Sequence, residues 1–394
     1  MFEHIVLRRA ENSHPISAGQ IAEALLYYQR VHLFIDRGTL FNLIKQIGAP
    51  LTLTLLRRAE ISAVYCEEML ATRTDTIGVT ERHDYVAITL AGDKDAGELK
   101  DPRHRLQFEL ERQSLKKKDA KAFVKGFLDK VPIRRFSGDY FIEGGVPAAA
   151  KRDLLDVQFV AQAIRYAVMA LPGGYPIADD FSVEIIDTST GYFVFSNLDL
   201  ERINRARAES TPSLEPVTMA HLLTNILDAR ADLSLASFYG GDFITSATIS
   251  SIIQARHAEL LRRTNLNLES RRQFSEVVLP DSPSLAQVID SGERTFADFL
   301  RLLDRASRFK DWLTQINPDE GVIRSYMRDL SSESWIQKLP IKTVRYLFTL
   351  AIEAISPPTG IVVGLADNFI LERLMAGWRP NHFIENRYGP FVQK

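Results

Sequence analysis

The segment Val31-His-Leu-Phe-Ile-Asp36 has the strongest strand pattern in the chain, and Arg37-Gly38 follows it directly. Its β-branched and aromatic residues are typical of a buried strand, and the glycine after them indicates a turn. A helix is predicted immediately afterwards, from Thr39 to Ile47, and Gly48 ends it. A strand that leads straight into a helix is the building unit of α/β folds, so this segment predicts the architecture of the N-terminal part.

Further strands are predicted on both sides of this segment, over Ile5–Arg9, Ala63–Cys66 and Tyr85–Leu90. Ser17 and Gln20 have the spacing of a capping box, in which a hydroxyl and an amide satisfy the first NH groups of a helix. This pattern predicts a helix from Ile21 to Tyr28, and a charged helix is predicted from Leu106 to Lys130. Strands and helices alternate, so residues 1–135 are predicted to form an α/β domain.

Residues 136–210 are predicted to form an extension made of a helix and a β-hairpin. The helix runs from Asp153 to Leu171 and ends where prolines and glycines follow. Two β-rich segments, Phe181–Ile186 and Tyr192–Ser196, flank a short turn with Gly191, which is the pattern of a hairpin.

Composition changes at residues 209–216, where proline and serine are frequent, and nearly every later segment has helical periodicity. Residues 211–394 are therefore predicted to be a helical domain that ends in an apolar hairpin. The expected fold is α+β, with an N-terminal α/β part followed by a C-terminal all-helical part.

Bulk composition excludes several classes of protein. The chain has 394 residues, 45% of them hydrophobic, and a formal net charge of -2. Dedicated nucleic-acid binders need a large basic surplus, so that class is not favoured. The single cysteine, Cys66, excludes a disulfide framework and suits a reducing compartment. The N-terminus shows no secretory signal pattern, and a cytoplasmic location is expected.

Asp36 is the first candidate for chemistry, because ligands of open α/β sheets bind at the carboxyl ends of strands. Together with Glu68 and Asp84 it suggests a divergent metal-dependent phosphodiesterase or nuclease, since hard cations need carboxylate oxygens. The competing interpretation makes Asp36 a helix N-cap or a salt-bridge partner. The nuclease pattern of Glu-x-Lys on a strand is not present, because Ile186 follows Glu184 at the lysine position.

Cofactor motifs are absent from the sequence. It has no P-loop, no dinucleotide-binding glycine pattern after a strand and no Gly-x-Ser-x-Gly nucleophile elbow. Neither a cofactor nor a metal is therefore predicted. Cys66 lies in an apolar segment and is expected to be a buried thiol and not a nucleophile.

Arginine pairs in the C-terminal half are candidates for an interaction surface, namely Arg262, Arg263, Arg271 and Arg272. A nucleic-acid groove would place stacking aromatics among them, and only Phe274 is close in sequence. The pattern favours a solvated helix face, so nucleic acid is not the favoured partner. Three residues of the tail complete the candidate surface, namely Trp378, His382 and Phe383.

Two apolar segments near the C-terminus, Val344–Ile355 and Ile361–Leu371, are separated by a Pro-Pro turn. Each is about a dozen residues long, the length of a buried helix and too short for an ordinary membrane span. Glu353 and Asp367 favour a core hairpin, because carboxylates are costly at membrane depth. Conditional membrane insertion is the alternative, and it would make the chain a membrane-disrupting effector.

A set of C-terminal motifs resembles the closing segment of a bacterial protein family. The motifs are Phe309-Lys-Asp-Trp-Leu313, Asn317-Pro-Asp319, Trp335, Lys338-Leu-Pro340 and Gly377-Trp-Arg-Pro-Asn-His-Phe-Ile-Glu385. Members of this family have no assigned activity, and some are encoded among phage-defence genes; their middle segments are richer in glycine than those here. The resemblance, over about the last hundred residues, implies a bacterial role associated with defence and no particular chemistry.

The leading hypothesis from the sequence is a non-enzymatic interaction or effector subunit of a bacterial antiviral system, with a protein partner or self-association. The phosphodiesterase and the membrane-disrupting effector stay open as alternatives.

Overall fold

The structure is a computed structural model, and it describes most of the chain. The described residues are 2–10, 14–89, 97–140, 143–171, 175, 177–210, 215–279, 282–316, 322 and 380–393, with the backbone alone at 210, 247, 256–268, 277 and 381. The fold is α+β, as the sequence predicts: a parallel and an antiparallel sheet are accompanied by helices, which dominate towards the C-terminus.

Strands and helices are numbered here in chain order. The strands are β1 His4–Leu7, β2 Arg30–Ile35, β3 Ile61–Tyr65, β4 Glu68–Ile77, β5 Thr80–Thr89, β6 Val183–Thr188, β7 Gly191–Ser196 and β8 Asp242–Ile244. The helices are α1 Ala18–Tyr27, α2 Arg37–Ile47, α3 Ala49–Leu56, α4 Pro102–Arg112, α5 Lys117–Leu128, α6 Gly145–Leu154, α7 Val157–Met169, α8 Leu200–Ser210, α9 Met219–Tyr239, α10 Ala247–Val278, α11 Leu285–Asp290, α12 Phe296–Leu303, α13 Ser307–Thr314, α14 Pro380–Phe383 and α15 Gly389–Val392.

The chain divides into two units that interleave along the sequence. The helical unit comprises Met1–Glu3, Ser17–Gln29 and Asn265–Lys394, and the sheet unit comprises His4–Ile16 and Arg30–Thr264. The division expected from the sequence, with boundaries at residues 135 and 210, follows chain order and stays a prediction.

The parallel sheet of the sheet unit has the strand order β3-β2-β1-β8. Side chains of β2 are buried on both faces, which is typical of parallel strands and explains the continuous apolar run from Val31 to Ile35. Its fourth strand, β8, comes from the part of the chain expected to be all helical. The strand consists of three residues, Asp-Phe-Ile, which are too few to show an alternation of apolar and polar side chains, so the sequence pattern could not predict it.

The antiparallel sheet has the order β4-β5-β7-β6. The predicted hairpin is confirmed as β6 and β7, which are joined between Thr188 and Gly191. The longer hairpin of β4 and β5 has one buried and one largely solvent-facing side, and the polar residues of β4 concealed this strand in the sequence.

Two predicted helices are interrupted in the structure. The expected helix Leu106–Lys130 is divided into α4 and α5 at Ser114, whose φ of 71° is incompatible with a helix. The expected helix Asp153–Leu171 is divided into α6 and α7, because the Asp156 carboxylate accepts a hydrogen bond from the Phe159 NH and caps a new helix.

Helix α9 packs against strands of both sheets and forms the centre of the sheet unit. The Tyr85 hydroxyl donates to the Leu223 carbonyl at 2.8 Å, and the Thr72 and Thr224 hydroxyls lie 2.8 Å apart. Leu227 and Leu235 are fully buried on the same helix. These two hydrogen bonds therefore join α9 to the antiparallel sheet through β4 and β5.

The helical unit is built on α1, which packs against α11, α12 and α13. The predicted capping box is confirmed, with Ser17 and Gln20 exchanging hydrogen bonds with each other's backbone. Phe309 stacks on Phe383 with ring centroids 4.9 Å apart and forms the core of this unit.

Among the described helices, none combines the length and the apolar character that crossing a membrane requires. The apolar hairpin predicted over residues 344–371 lies outside the described residues, as does Trp378.

Candidate functional site

A cleft of about 230 Å³ lies at the carboxyl ends of β2 and β3 in the sheet unit. These strands are parallel neighbours, so the residues that follow them meet at the same edge of the sheet. Helix α4 supplies the opposite wall. The cleft is lined by Arg9, Asp36, Arg37, Gly38, Tyr65, Cys66, Glu67, Glu68, Met69, Thr89, Leu99, Arg105, Leu106, Phe108 and Glu109.

Asp36 is both a helix N-cap and a salt-bridge partner, the two roles that the competing interpretation of the sequence offered. One carboxylate oxygen accepts a hydrogen bond from the Thr39 NH at 2.7 Å and caps α2, and the other accepts from Arg9 at 3.1 Å. A Cβ on Gly38 would lie 2.5 Å from the Arg9 guanidinium, so a larger residue there would displace the end of the Arg9 side chain. The carboxylate is therefore held in place by a helix and an arginine.

Two further ion pairs cross the cleft from α4. Arg105 binds both oxygens of Glu67, and this hydrogen bonding raises the pKa of Arg105 above its ordinary value. Arg37 approaches Glu109 at 3.4 Å, which is longer than the Arg9–Asp36 contact and leaves the Arg37 side chain 44% exposed. The Arg37–Glu109 pair is consequently the loosest of these contacts.

Glu68 is hydrogen-bonded to the neighbouring loop. Its carboxylate accepts hydrogen bonds from the Ser137 NH at 2.9 Å and the Ser137 hydroxyl at 2.5 Å. The thiol of Cys66 is buried beside it, and burial raises the pKa of Cys66 to about 12. This thiol remains protonated at neutral pH, as expected for a core residue.

Asp84, the third predicted carboxylate, does not line this cleft. It lies on β5, where its oxygens pair with Lys151 at 2.6 Å and Arg73 at 3.6 Å. Asp36 and Glu68 both line this cleft, and Asp84 does not. Within the described part of the chain, no group of three or more His, Cys, Asp or Glu side chains is arranged to hold a metal ion.

The cleft has a mixed electrostatic character and an apolar wall. Among the described lining residues, three arginines face four carboxylates, so neither sign of charge is in large excess. Met69 and Phe108 are 38% and 46% exposed, although both are large apolar residues. Such a combination of paired charges and exposed apolar surface is typical of small-molecule sites.

A buried ion cluster lies at the end of β1, next to Arg9 in sequence. The Arg8 guanidinium donates to Asp228 and Asp232 of α9, both at 2.7 Å, and all three side chains are buried. Burial opposes the charged form, but the two carboxylates outweigh it and raise the pKa of Arg8. Burial also raises the pKa of Asp232. This cluster anchors β1 to α9 and so fixes the backbone that positions Arg9.

The predicted interaction residues are distributed differently. Arg271 pairs with Glu23 at 3.5 Å and lies over the Tyr27 ring, so it is internal to the helical unit. Arg272 is exposed and pairs with Glu269 and Glu276 of its own helix.

His382 is exposed, whereas Phe383 is buried against Phe309 and cannot serve as a surface residue. Arg262 and Arg263 lie in α10, and their side chains are outside the described set.

Sequence reasoning missed the arginines of the cleft. Arg9 and Arg37 are each the second residue after β1 and β2, and the strand-end rule that selected Asp36 also applies to them. Arg105 and Glu109 reach the cleft from α4, and no local pattern relates that helix to the sheet edge. Comparisons with models of protein families, with curated proteins and with solved structures find no match to this chain.

Proposed function

We propose that this chain is a non-enzymatic binding protein whose cleft holds a small zwitterion with an apolar side chain, such as a free amino acid. The observation that carries the proposal is the loose Arg37–Glu109 pair beside an exposed apolar wall. A molecule with one carboxylate and one ammonium group matches these two side chains.

Insertion of such a molecule replaces one weak contact by two stronger ones. Its carboxylate would take the planar fork of Arg37, which suits bidentate binding, and its ammonium group would donate to Glu109. Arg37 is the more exposed partner at 44%, against 25% for Glu109, so the side chains can separate without loss of buried packing. The Arg9–Asp36 and Arg105–Glu67 pairs would stay intact and keep the walls of the cleft in position.

The apolar wall selects the side chain of the ligand. Met69 and Phe108 expose apolar surface that a bound aliphatic or aromatic group would cover, at about 25 cal/mol per Å² buried. The volume of about 230 Å³ limits the ligand to a small molecule or to the end of a peptide. Leucine and phenylalanine are therefore expected to bind better than glycine or glutamate.

Ligand binding is compatible with the interaction role expected from the sequence. In this proposal, binding of the ligand in the cleft controls association with a protein partner or with a second copy of the chain. A cytoplasmic, bacterial and defence-associated setting belongs to the same proposal and is supported by the C-terminal resemblance and by the single buried thiol, Cys66.

Isothermal titration calorimetry of the full chain tests this proposal. We expect L-leucine and L-phenylalanine to bind, while N-acetyl-phenylalanine amide, which lacks both charges, does not. Arg37→Ala and Glu109→Ala should each weaken binding about ten-fold, because each removes a charge-assisted hydrogen bond. Phe108→Ala should reduce the preference for large side chains.

Arg272→Ala is the matched control, since it also breaks an exposed arginine–glutamate pair but lies in the helical unit. Its affinity for L-phenylalanine should equal that of the wild type. The proposal fails if no amino acid releases or absorbs heat in the millimolar range, or if Arg37→Ala and Arg272→Ala behave alike.

A further inference from the structure

A second cavity, in the helical unit, is dominated by arginine. It has a volume of about 390 Å³ and lies between α12 and the C-terminal segment. We call it the arginine pocket; its lining residues are Arg294, Asp298, Arg301, Leu302, Arg305, Asn386, Arg387, Pro390 and Phe391. Four guanidinium groups thus surround one cavity.

Among the described residues, Asp298 is the one carboxylate that lines the arginine pocket. It accepts a hydrogen bond from the Thr295 hydroxyl at 2.5 Å and pairs with Arg301. The hydrogen bond from Thr295, followed by the hydrogen bond from Arg301, lowers the pKa of Asp298. The carboxylate is therefore ionised at neutral pH and offsets the charge of a single arginine.

Arg294 is held by uncharged partners. It donates to the carbonyl oxygens of Pro390 and Phe391 at 3.1 and 3.0 Å, and it lies over the Phe391 ring at 5.5 Å. These contacts fix its direction and tie the C-terminal segment to the start of α12. Within the described ranges of the chain, no carboxylate forms an ion pair with Arg294.

Arg305 and Arg387 are both exposed at the rim of the arginine pocket. In the part of the chain that the structure describes, neither side chain forms an ion pair. Arg387 is brought to the pocket by the π-helical turn Ile384–Tyr388, and Arg305 follows the end of α12. Two separate backbone segments therefore place arginines at one cavity, and neither arginine is paired with a described carboxylate.

Like charges gathered in this way repel one another, and an anion removes the repulsion. Guanidinium forks match the oxygens of phosphate groups and bind them bidentately. We propose that the arginine pocket binds a small molecule with a multiply charged phosphoryl group, of which pyrophosphate is the simplest example. The arginine pocket belongs to a different unit from the amino-acid cleft. Its ligand is a multiply charged anion, whereas the cleft takes a zwitterion with an apolar side chain, so the two proposals can be tested independently.

Titration calorimetry with inorganic pyrophosphate tests the pocket in the full chain. We expect binding that weakens as salt is added. In the double variant Arg305→Ala/Arg387→Ala, affinity should fall on the order of a hundred-fold, about ten-fold for each charge-assisted contact. The corresponding double lysine variant keeps the charges but loses the forks, and it should recover part of the affinity.

Arg308→Ala is the matched control, because Arg308 is an exposed arginine of neighbouring α13 that does not line the cavity. It should bind pyrophosphate like the wild type. All variants should keep the melting temperature of the wild type, since the substituted side chains are exposed.

Two further ligands distinguish the sources of phosphate. A nucleoside diphosphate should compete with pyrophosphate, whereas a single-stranded oligonucleotide, whose phosphates are singly charged and spaced apart, should not. The proposal is overturned if pyrophosphate does not bind the wild type, if Arg308→Ala loses as much affinity as the double variant, or if the oligonucleotide displaces pyrophosphate.

Discussion

Substitution of Arg8 by methionine should destabilise the sheet unit strongly. The Arg8 side chain is 4% exposed and lies 2.7 Å from each of two buried carboxylates, Asp228 and Asp232. Methionine keeps the aliphatic part but leaves both carboxylates without their cation. Removal of one partner from a buried ion pair costs about 3–5 kcal/mol, and we expect a loss of that size in the free energy of unfolding. Domains have about 5–15 kcal/mol in total, so the loss should be obvious.

The adjacent arginine provides the matched control. Arg9 is 28% exposed and pairs at 3.1 Å with Asp36, which is 31% exposed. Water already screens this pair, so Arg9→Met should cost no more than about 1 kcal/mol. The two substituted arginines are adjacent in sequence and differ in burial, so the comparison isolates the effect of burying the charged side chain.

Urea unfolding measures the effect. Far-ultraviolet circular dichroism monitors both units, whereas fluorescence of the three tryptophans, Trp312, Trp335 and Trp378, monitors the helical unit, which contains all of them. We expect the dichroism midpoint to fall much further in Arg8→Met than in Arg9→Met.

A triple variant that replaces Arg8, Asp228 and Asp232 by apolar residues should recover most of the loss, since it leaves no uncompensated charge. Equal stability of Arg8→Met and Arg9→Met would refute the reasoning, because burial would then have no effect on the cost.

Two other predictions concern stability. Burial lowers the pKa of His32 from its ordinary 6.5 to about 4, so the folded state stays neutral where the unfolded state takes up a proton. The free energy of unfolding should therefore fall as the pH drops from 6.5 towards 4, by up to about 3 kcal/mol at about 1.4 kcal/mol per pH unit. Urea midpoints measured against pH would show this fall, and His32→Phe should remove it. Gly145→Ala should destabilise by about 3 kcal/mol or more in thermal unfolding, because a Cβ there would lie 2.2 Å from the Phe136 carbonyl oxygen at a φ of 76°. Gly78→Ala, which has a φ of 63° but open space around it, should cost only about 1 kcal/mol; an equal cost at both positions would contradict the role assigned to the contact.

Local patterns predicted the elements whose signal lies within a few residues. The run Val31–Asp36 became β2, and the Ser17–Gln20 spacing became the capping box of α1. The predicted hairpin became β6 and β7 for the same reason, since a short turn between β-rich segments requires no information from elsewhere. Elements of three residues, such as β8, exist only because the sheet provides hydrogen bonds for them.

The candidate site was predictable only in part. The strand-end rule brought Asp36 and Glu68 to one edge, because both follow neighbouring parallel strands. Asp84 was grouped with them by proximity in sequence, but it lies in the middle of β5 and not at a strand end, and it pairs with Lys151 there. Arg105 and Glu109 depend on the packing of α4 against the sheet edge, which is set by tertiary contacts.

The pairing of β1 with β8 affects how this protein folds during translation. Ile5 pairs with Asp242, so more than half of the chain leaves the ribosome between the two residues that must meet. Until then, β1 presents an unpaired edge, the kind of surface that aggregates or recruits chaperones. Synthesis that stops before Asp242 therefore yields a nascent chain in which the edge of β1 stays unpaired, however well its first three strands have assembled.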